Sequence, residues 1–114
     1  MSVNAAFQRV CPAAEIAKGT VVGREVSGVP IALVHCEDGT FRAVADECSH
    51  QDVPLSEGDV DGCTLECWLH GSRFDLRTGA PSGPPATEPV AVYPVEIRDG
   101  DLYVSLVPAN GVTQ

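Results

Sequence analysis

An all-β antiparallel fold, a sandwich or barrel carrying an inserted subdomain over about 46–78, is what this 114-residue chain predicts. Three observations carry the expectation. Apolar residues come in short runs with two-residue alternation, as in Val90-Ala91-Val92-Tyr93 and Leu102-Tyr103-Val104, and nowhere in a long three-to-four-residue helical repeat. Asp-Gly pairs separate several of the runs, and such pairs supply the positive φ angles of tight hairpins. The stretch 46–78 breaks this rhythm with shorter apolar pieces and holds two close pairs of cysteine and histidine.

Taken in order, Phe7 to Val10 and Thr20 to Val26 read as strands, with Pro12 to Ala17 between them too short for more than one helical turn. Val29 to Cys36 and Thr40 to Ala45 flank Glu37-Asp38-Gly39 as the clearest hairpin. A second hairpin closes the chain, with Val90 to Arg98 and Leu102 to Val107 as its strands around Asp99-Gly100-Asp101.

The length fits a single domain spanning 1–114 with one hydrophobic core. Hydrophobic residues make up 44% and charged residues 20%, values of a globular chain and of neither a disordered nor a fibrous one. Sixteen acidic residues against seven basic ones give a net charge of -9, which repels a phosphate backbone and excludes nucleic acid as a partner. The longest apolar run, Val29 to Val34, is about a third of what a membrane helix requires, so no membrane span is expected. Met1 to Val10 lacks the basic and apolar regions of a secretory signal, and a cytoplasmic monomer is the expectation.

Five cysteines in such a chain argue for metal ligation plus buried thiols and against a disulfide framework. The ligand candidates are Cys48-Ser49-His50 and Cys67-Trp68-Leu69-His70, separated by residues 51–66. A spacer of one or two residues lets a turn aim both members of a pair at one centre, and the long separation lets two loops approach from opposite sides. Thiolates and neutral imidazoles together suit an iron-sulfur cluster, the imidazoles leaving it easier to reduce. The same donor set can hold zinc, although zinc fingers favour C-x-x-C and H-x-x-x-H pairs. Cys11, Cys36 and Cys63 are expected as buried apolar thiols, His35 as a structural strand residue, and Trp68 as a shield of the site against water. Eight carboxylates within 46–77 are a docking face or a solvated one.

C-x-H, sixteen residues, then C-x-x-H followed by Gly71-Ser72-Arg73-Phe74-Asp75 resembles the cluster-binding motif of the Rieske family. The resemblance extends to Pro54-Leu55-Ser56-Glu57-Gly58 and to Arg77-Thr78-Gly79, and so covers most of the chain. It implies a Rieske-type antiparallel β fold and one 2Fe-2S cluster per chain, with Cys48 and Cys67 on a buried iron and His50 and His70 on an outer one. Electrons would leave by the histidine edge. Gly83-Pro84-Pro85 resembles the family's proline loop over the cluster, where fixed φ angles favour a rigid cover. High-potential respiratory members carry an extra cysteine in each loop, joined as a disulfide; Val53 and Leu69 stand at those positions. Ser72 and Phe74 match positions where those members place a Ser and a Tyr that donate to cluster sulfur, so one of two donors remains and a lower potential is implied.

The resemblance thus points to the ferredoxins that take electrons from a reductase to a terminal oxygenase. A small subunit of a nitrite-reductase-type enzyme, an accessory of iron-sulfur assembly and a zinc-stabilised interaction module stay open as alternatives. An oxygenase in its own right is disfavoured by counting: a mononuclear iron site needs two histidines and a carboxylate, and with His50 and His70 on the cluster only His35 is left.

Overall fold

The structure is a computed structural model that describes residues 7–46, 54–67, 73–81 and 89–109. In these residues the strands are β1 (Phe7–Pro12), β2 (Thr20–Val26), β3 (Val29–His35), β4 (Phe41–Ala45), β5 (Asp59–Asp61), β6 (Thr64–Glu66), β7 (Arg73–Asp75), β8 (Val92–Tyr93), β9 (Val95–Arg98) and β10 (Asp101–Ser105). They pair antiparallel into three sheets of order β1-β10-β9, β2-β3-β4-β8 and β5-β6-β7. Two short 3-10 turns, Ala13–Glu15 and Leu55–Glu57, are the helical elements among the described residues. The all-β antiparallel expectation holds.

The central sheet explains the longest apolar run. Ala32 and Val34 of β3, followed by Cys36, face one core with Val44, Val92, Leu65, Phe74 and Leu76. Ile31 and Leu33 of the same strand face a second core with Ala43, Tyr93, Leu102 and Val104. A strand covered on both sides needs apolar residues at successive positions, and the usual in-out alternation disappears. The β5-β6-β7 sheet covers one face of the central sheet and the β1-β10-β9 sheet covers the other.

Two hairpins close on two-residue turns in which both central residues have positive φ. Ser27 (49°) and Gly28 (83°) join β2 to β3, and Asp99 (52°) and Gly100 (83°) join β9 to β10. This handedness matches the twist of the flanking strands. The β3-β4 connection is built differently. There Asp38 Oδ1 accepts from the Thr40 amide at 2.9 Å and the Thr40 hydroxyl at 2.7 Å, bonds that hold its carboxyl below the usual range. Gly39, at φ 94°, completes the reversal.

Three expectations need correction, the first being the single hydrophobic core, since the covered central sheet has one core on each face. Val90 to Arg98 is not one strand: Pro94 divides it, leaving β8 beside β4 and sending β9 to β10 in another sheet. Proline has no amide to donate, so a strand passing between sheets can turn at that position, where the Pro94 carbonyl still accepts from the Ser105 amide at 3.1 Å. Cys36 and Cys63 are buried as expected, but they are joined as a disulfide with Cα atoms 5.0 Å apart. Stacking the β5-β6-β7 sheet on the central one brings the β5-β6 turn against the end of β3, where the Glu37 amide donates to the Gly62 carbonyl at 3.3 Å. Cys11 is buried and free. Burial pushes its thiol up, since desolvation disfavours the thiolate.

Candidate metal centre

Of the four ligand candidates, Cys67 lies within the described residues; Cys48, His50 and His70 lie outside them, as do Val53, Trp68, Leu69, Ser72 and Gly83-Pro84-Pro85. Cys67 directly follows β6, is free and is fully buried. It belongs to the core that holds Leu55, Leu65, Phe74, Leu76 and Val90. Glu66 and Arg73 are the last register pair of β6 and β7, so segment 68–72, with His70, is the connection of that hairpin.

The chain that follows the other ligand pair is held against the same place. Leu55 follows segment 47–53 and is buried in the core of Cys67. Gly58 stands so close to β6 that a Cβ there would run into the Glu66 carbonyl oxygen. Its φ of -88° is open to any residue, so glycine is required by the close approach and not by the backbone angle. Two pieces of main chain therefore meet with no side chain between them, one leaving the first ligand segment and one entering the second.

A third segment, 82–88, starts and ends at this core as well. Pro81 bridges to Phe74, and the Val90 amide donates to the Gly79 carbonyl at 2.9 Å. The turn before it is fixed by Asp75, whose Oδ1 accepts from the Arg77 amide at 2.8 Å and whose carbonyl accepts from the Gly79 amide at 2.6 Å. Leu55, Cys67, Phe74 and Val90, one or more from each flank, are all at 0% exposure. The described residues that border segments 47–53, 68–72 and 82–88 thus share a single apolar base.

The donor chemistry agrees with an iron-sulfur cluster. Cys67 is a buried thiol committed to no disulfide, at the end of a strand in an apolar core, and a cysteine sulfur so placed is free to serve as a ligand to a soft metal centre. His35, the remaining histidine, is engaged elsewhere. Its Nδ1–H donates to the Ile16 carbonyl at 2.9 Å, and its ring stacks on Phe41 with centroids 4.0 Å apart. The structural reading of His35 is the one observed.

Around this base the charges are arranged in exposed pairs. Arg73 lies 2.7 Å from Asp61 and 3.7 Å from Glu66, linking all three strands of the small sheet at its surface. Such exposed pairs contribute about 0–1 kcal/mol and are weakened by salt. The feature that sequence reasoning missed is Asp46, whose carboxylate turns onto Ser56 across the first ligand segment. Its signal, an acidic residue just before a ligand pair and a serine just after, was present but indistinguishable from the other carboxylates of the stretch.

Residues 6–94 match the model of the Rieske 2Fe-2S domain. The chain is 38% identical over 105 residues to ferredoxin CarAc of Metapseudomonas resinovorans, covering 90% of this chain and 96% of that one. It is 44% identical over 99 residues to the 3-phenylpropionate/cinnamic acid dioxygenase ferredoxin subunit of Photorhabdus laumondii, covering 85% and 91%. Among solved structures it is similar to the ferredoxin of carbazole 1,9a-dioxygenase from Nocardioides aromaticivorans IC177, with a TM-score of 0.83, 29% identity and coverage of 88% and 97%. A chain in a complex of reduced oxygenase and oxidized ferredoxin in carbazole 1,9a-dioxygenase matches with a TM-score of 0.80 and 37% identity over 90% and 94%. The buried free Cys67, the apolar base around it and these likenesses agree, and the chain belongs to the Rieske 2Fe-2S family as a ferredoxin, a carrier of single electrons.

Proposed function

We propose that Cys48, His50, Cys67 and His70 hold the 2Fe-2S cluster and that the chain passes its electrons from a reductase to the terminal oxygenase of a ring-hydroxylating system. The observation that carries the ligand assignment is Cys67, free and fully buried directly after β6, three residues before His70 in the sequence. The partner assignment is supported by relatives named as dioxygenase ferredoxin subunits and by a similar ferredoxin solved together with its oxygenase. These names favour the carrier over a nitrite-reductase subunit, an assembly accessory or a zinc module.

In this reading residues 1–114 are one Rieske domain, and 46–78 is its cluster-binding subdomain. The protein is itself no enzyme: the cluster supplies one-electron chemistry, and the chain supplies ligands, burial and a docking surface. A cytoplasmic location accords with an acidic chain in which no helix among the described residues is long and apolar enough to cross a membrane. The test is metal analysis with single-site variants. About two irons and two labile sulfides per chain are expected, with cluster loss in Cys48→Ala and Cys67→Ala and retention in Cys11→Ala. Stoichiometric zinc without sulfide would overturn the assignment.

A further inference from the structure

Asp46 directly follows β4 and precedes segment 47–53, and Ser56 lies in the 3-10 turn that follows the segment. One carboxylate ties the two together. Asp46 Oδ1 accepts from the Ser56 amide at 2.7 Å, and Oδ2 accepts from the Ser56 hydroxyl at 2.8 Å. Asp46 is itself fixed from behind, since its amide donates to the Pro30 carbonyl on β3 at 3.2 Å. From the side, Gly23 of β2 leaves room for the pair: a Cβ there would stand 2.9 Å from Ser56 Oγ and 3.0 Å from Asp46 Oδ2.

We propose that Asp46 and Ser56, seated on Gly23, form a clasp that shuts the segment carrying Cys48 and His50 and so positions that ligand pair. The inference rests on the assignment of Cys48 and His50 as ligands. Asp46 before the segment and Ser56 after it are joined to each other and, through the Asp46 amide, to β3. Hydrogen bonds to an ionised acceptor are stronger than neutral ones, and here two converge on one partly buried carboxylate. Asp46 and Ser56 are positioning residues; they act on the cluster through the ligand segment that lies between them in the sequence.

The experiment compares the holoprotein with Asp46→Ala, Asp46→Asn, Ser56→Ala and Gly23→Ala. Three quantities are read: the rate of iron release to a chelator, the EPR g-values of the reduced state, and the reduction potential. Asp46→Ala should release iron at least about tenfold faster, with a broadened EPR spectrum and a shifted potential, because both charge-assisted bonds are lost. Asp46→Asn should recover part of the effect, since its carbonyl oxygen still accepts the Ser56 amide and its amide can donate to the hydroxyl. Ser56→Ala keeps the amide bond and should fall between wild type and Asp46→Ala. Gly23→Ala should resemble Ser56→Ala while leaving both partners in place.

Wild-type release, spectrum and potential across the series would overturn the clasp, as would a lowered melting temperature with all three unchanged. Cys48→Ala separates the two layers of the inference. If it loses the cluster while the clasp variants behave as wild type, only the clasp fails; if it keeps the cluster, the ligand assignment fails first.

Discussion

Breaking the Cys36–Cys63 bond perturbs the molecule at one defined place, the seam between the central sheet and the β5-β6-β7 sheet. The bond closes a loop with a sequence separation of 27, and that loop contains Cys48 and His50. In the chain-entropy description the unfolded state loses about 2.1 + 1.5R ln n cal/mol/K, which for n of 27 is roughly 12 cal/mol/K, or about 3.5 kcal/mol at 25 °C. For a chain of this size that corresponds to a fall in melting temperature of roughly 15 °C on reduction. The assay is a set of melting curves at one fixed scan rate, with and without a phosphine reductant. Wild type is compared with Cys36→Ala/Cys63→Ala under both conditions. The double variant also loses buried sulfur, so its absolute melting point mixes two effects, whereas its response to reductant isolates the bond. Wild type should drop on reduction and the variant should not move. Alkylation of protein denatured without reductant supplies the refutation: label on both Cys36 and Cys63, or equal responses of wild type and variant to reductant, would remove the covalent bond from the account.

Three other expectations follow from described residues. Gly58→Ala drives a methyl group into the Glu66 main chain next to Cys67, so it should destabilise the holoprotein by about 1–3 kcal/mol in denaturant titrations and speed cluster loss; unchanged midpoints would mean that the close approach relaxes freely. Burial raises the Cys11 thiol above 9.0 and the Tyr93 phenol above 10.0, so the folded chain keeps protons that the unfolded one has released. Stability is therefore whole below about pH 9 and declines as pH rises through the folded values, and in urea titrations Cys11→Ala should lose the part of the decline that begins first. Phe74 is fully buried, so the added hydroxyl of Phe74→Tyr needs an acceptor; if cluster sulfur provides it, film voltammetry should show a rise of about 40 mV for a bond gaining about 1 kcal/mol on reduction. An unmoved potential with a lowered melting temperature would show the hydroxyl stranded in the core.

The parts of the molecule that were legible in the sequence are those coded within a few residues. Cys67 and His70 stand three apart, Asp99-Gly100 lies between two alternating runs, and each announces itself locally. What was not legible depends on sheet packing. The run Val29 to Val34 shows a buried strand, but its two-faced burial exists because separate sheets cover it from either side. Pro94 is the one local sign that Val90 to Arg98 divides, and it was outweighed by the alternation around it. Cys36 and Cys63 carry no short-range relation at all; they meet through the stacking of one sheet on another.

The acidic stretch shows how packing resolves a question that composition leaves open. Counted along the chain, the carboxylates between 46 and 77 form one group, equally suited to docking or to solvation. In the fold they separate by what they bind. Asp46 turns inward to Ser56, Asp61 and Glu66 share Arg73, and Asp75 accepts from the Arg77 amide. Glu57 and Asp59 are exposed on the chain that runs from the first ligand segment into β5. A carboxylate already engaged within the molecule must give up a bond to meet a basic partner, whereas an exposed one loses only water. Charge reversal at Glu57 and Asp59 should therefore slow association with a reductase or oxygenase and flatten its salt dependence. The same change at Asp46 should act first on the cluster, and rapid-mixing kinetics across a range of salt concentrations separates the two. Equal slowing by exposed and engaged carboxylates would mean that net charge alone steers the encounter.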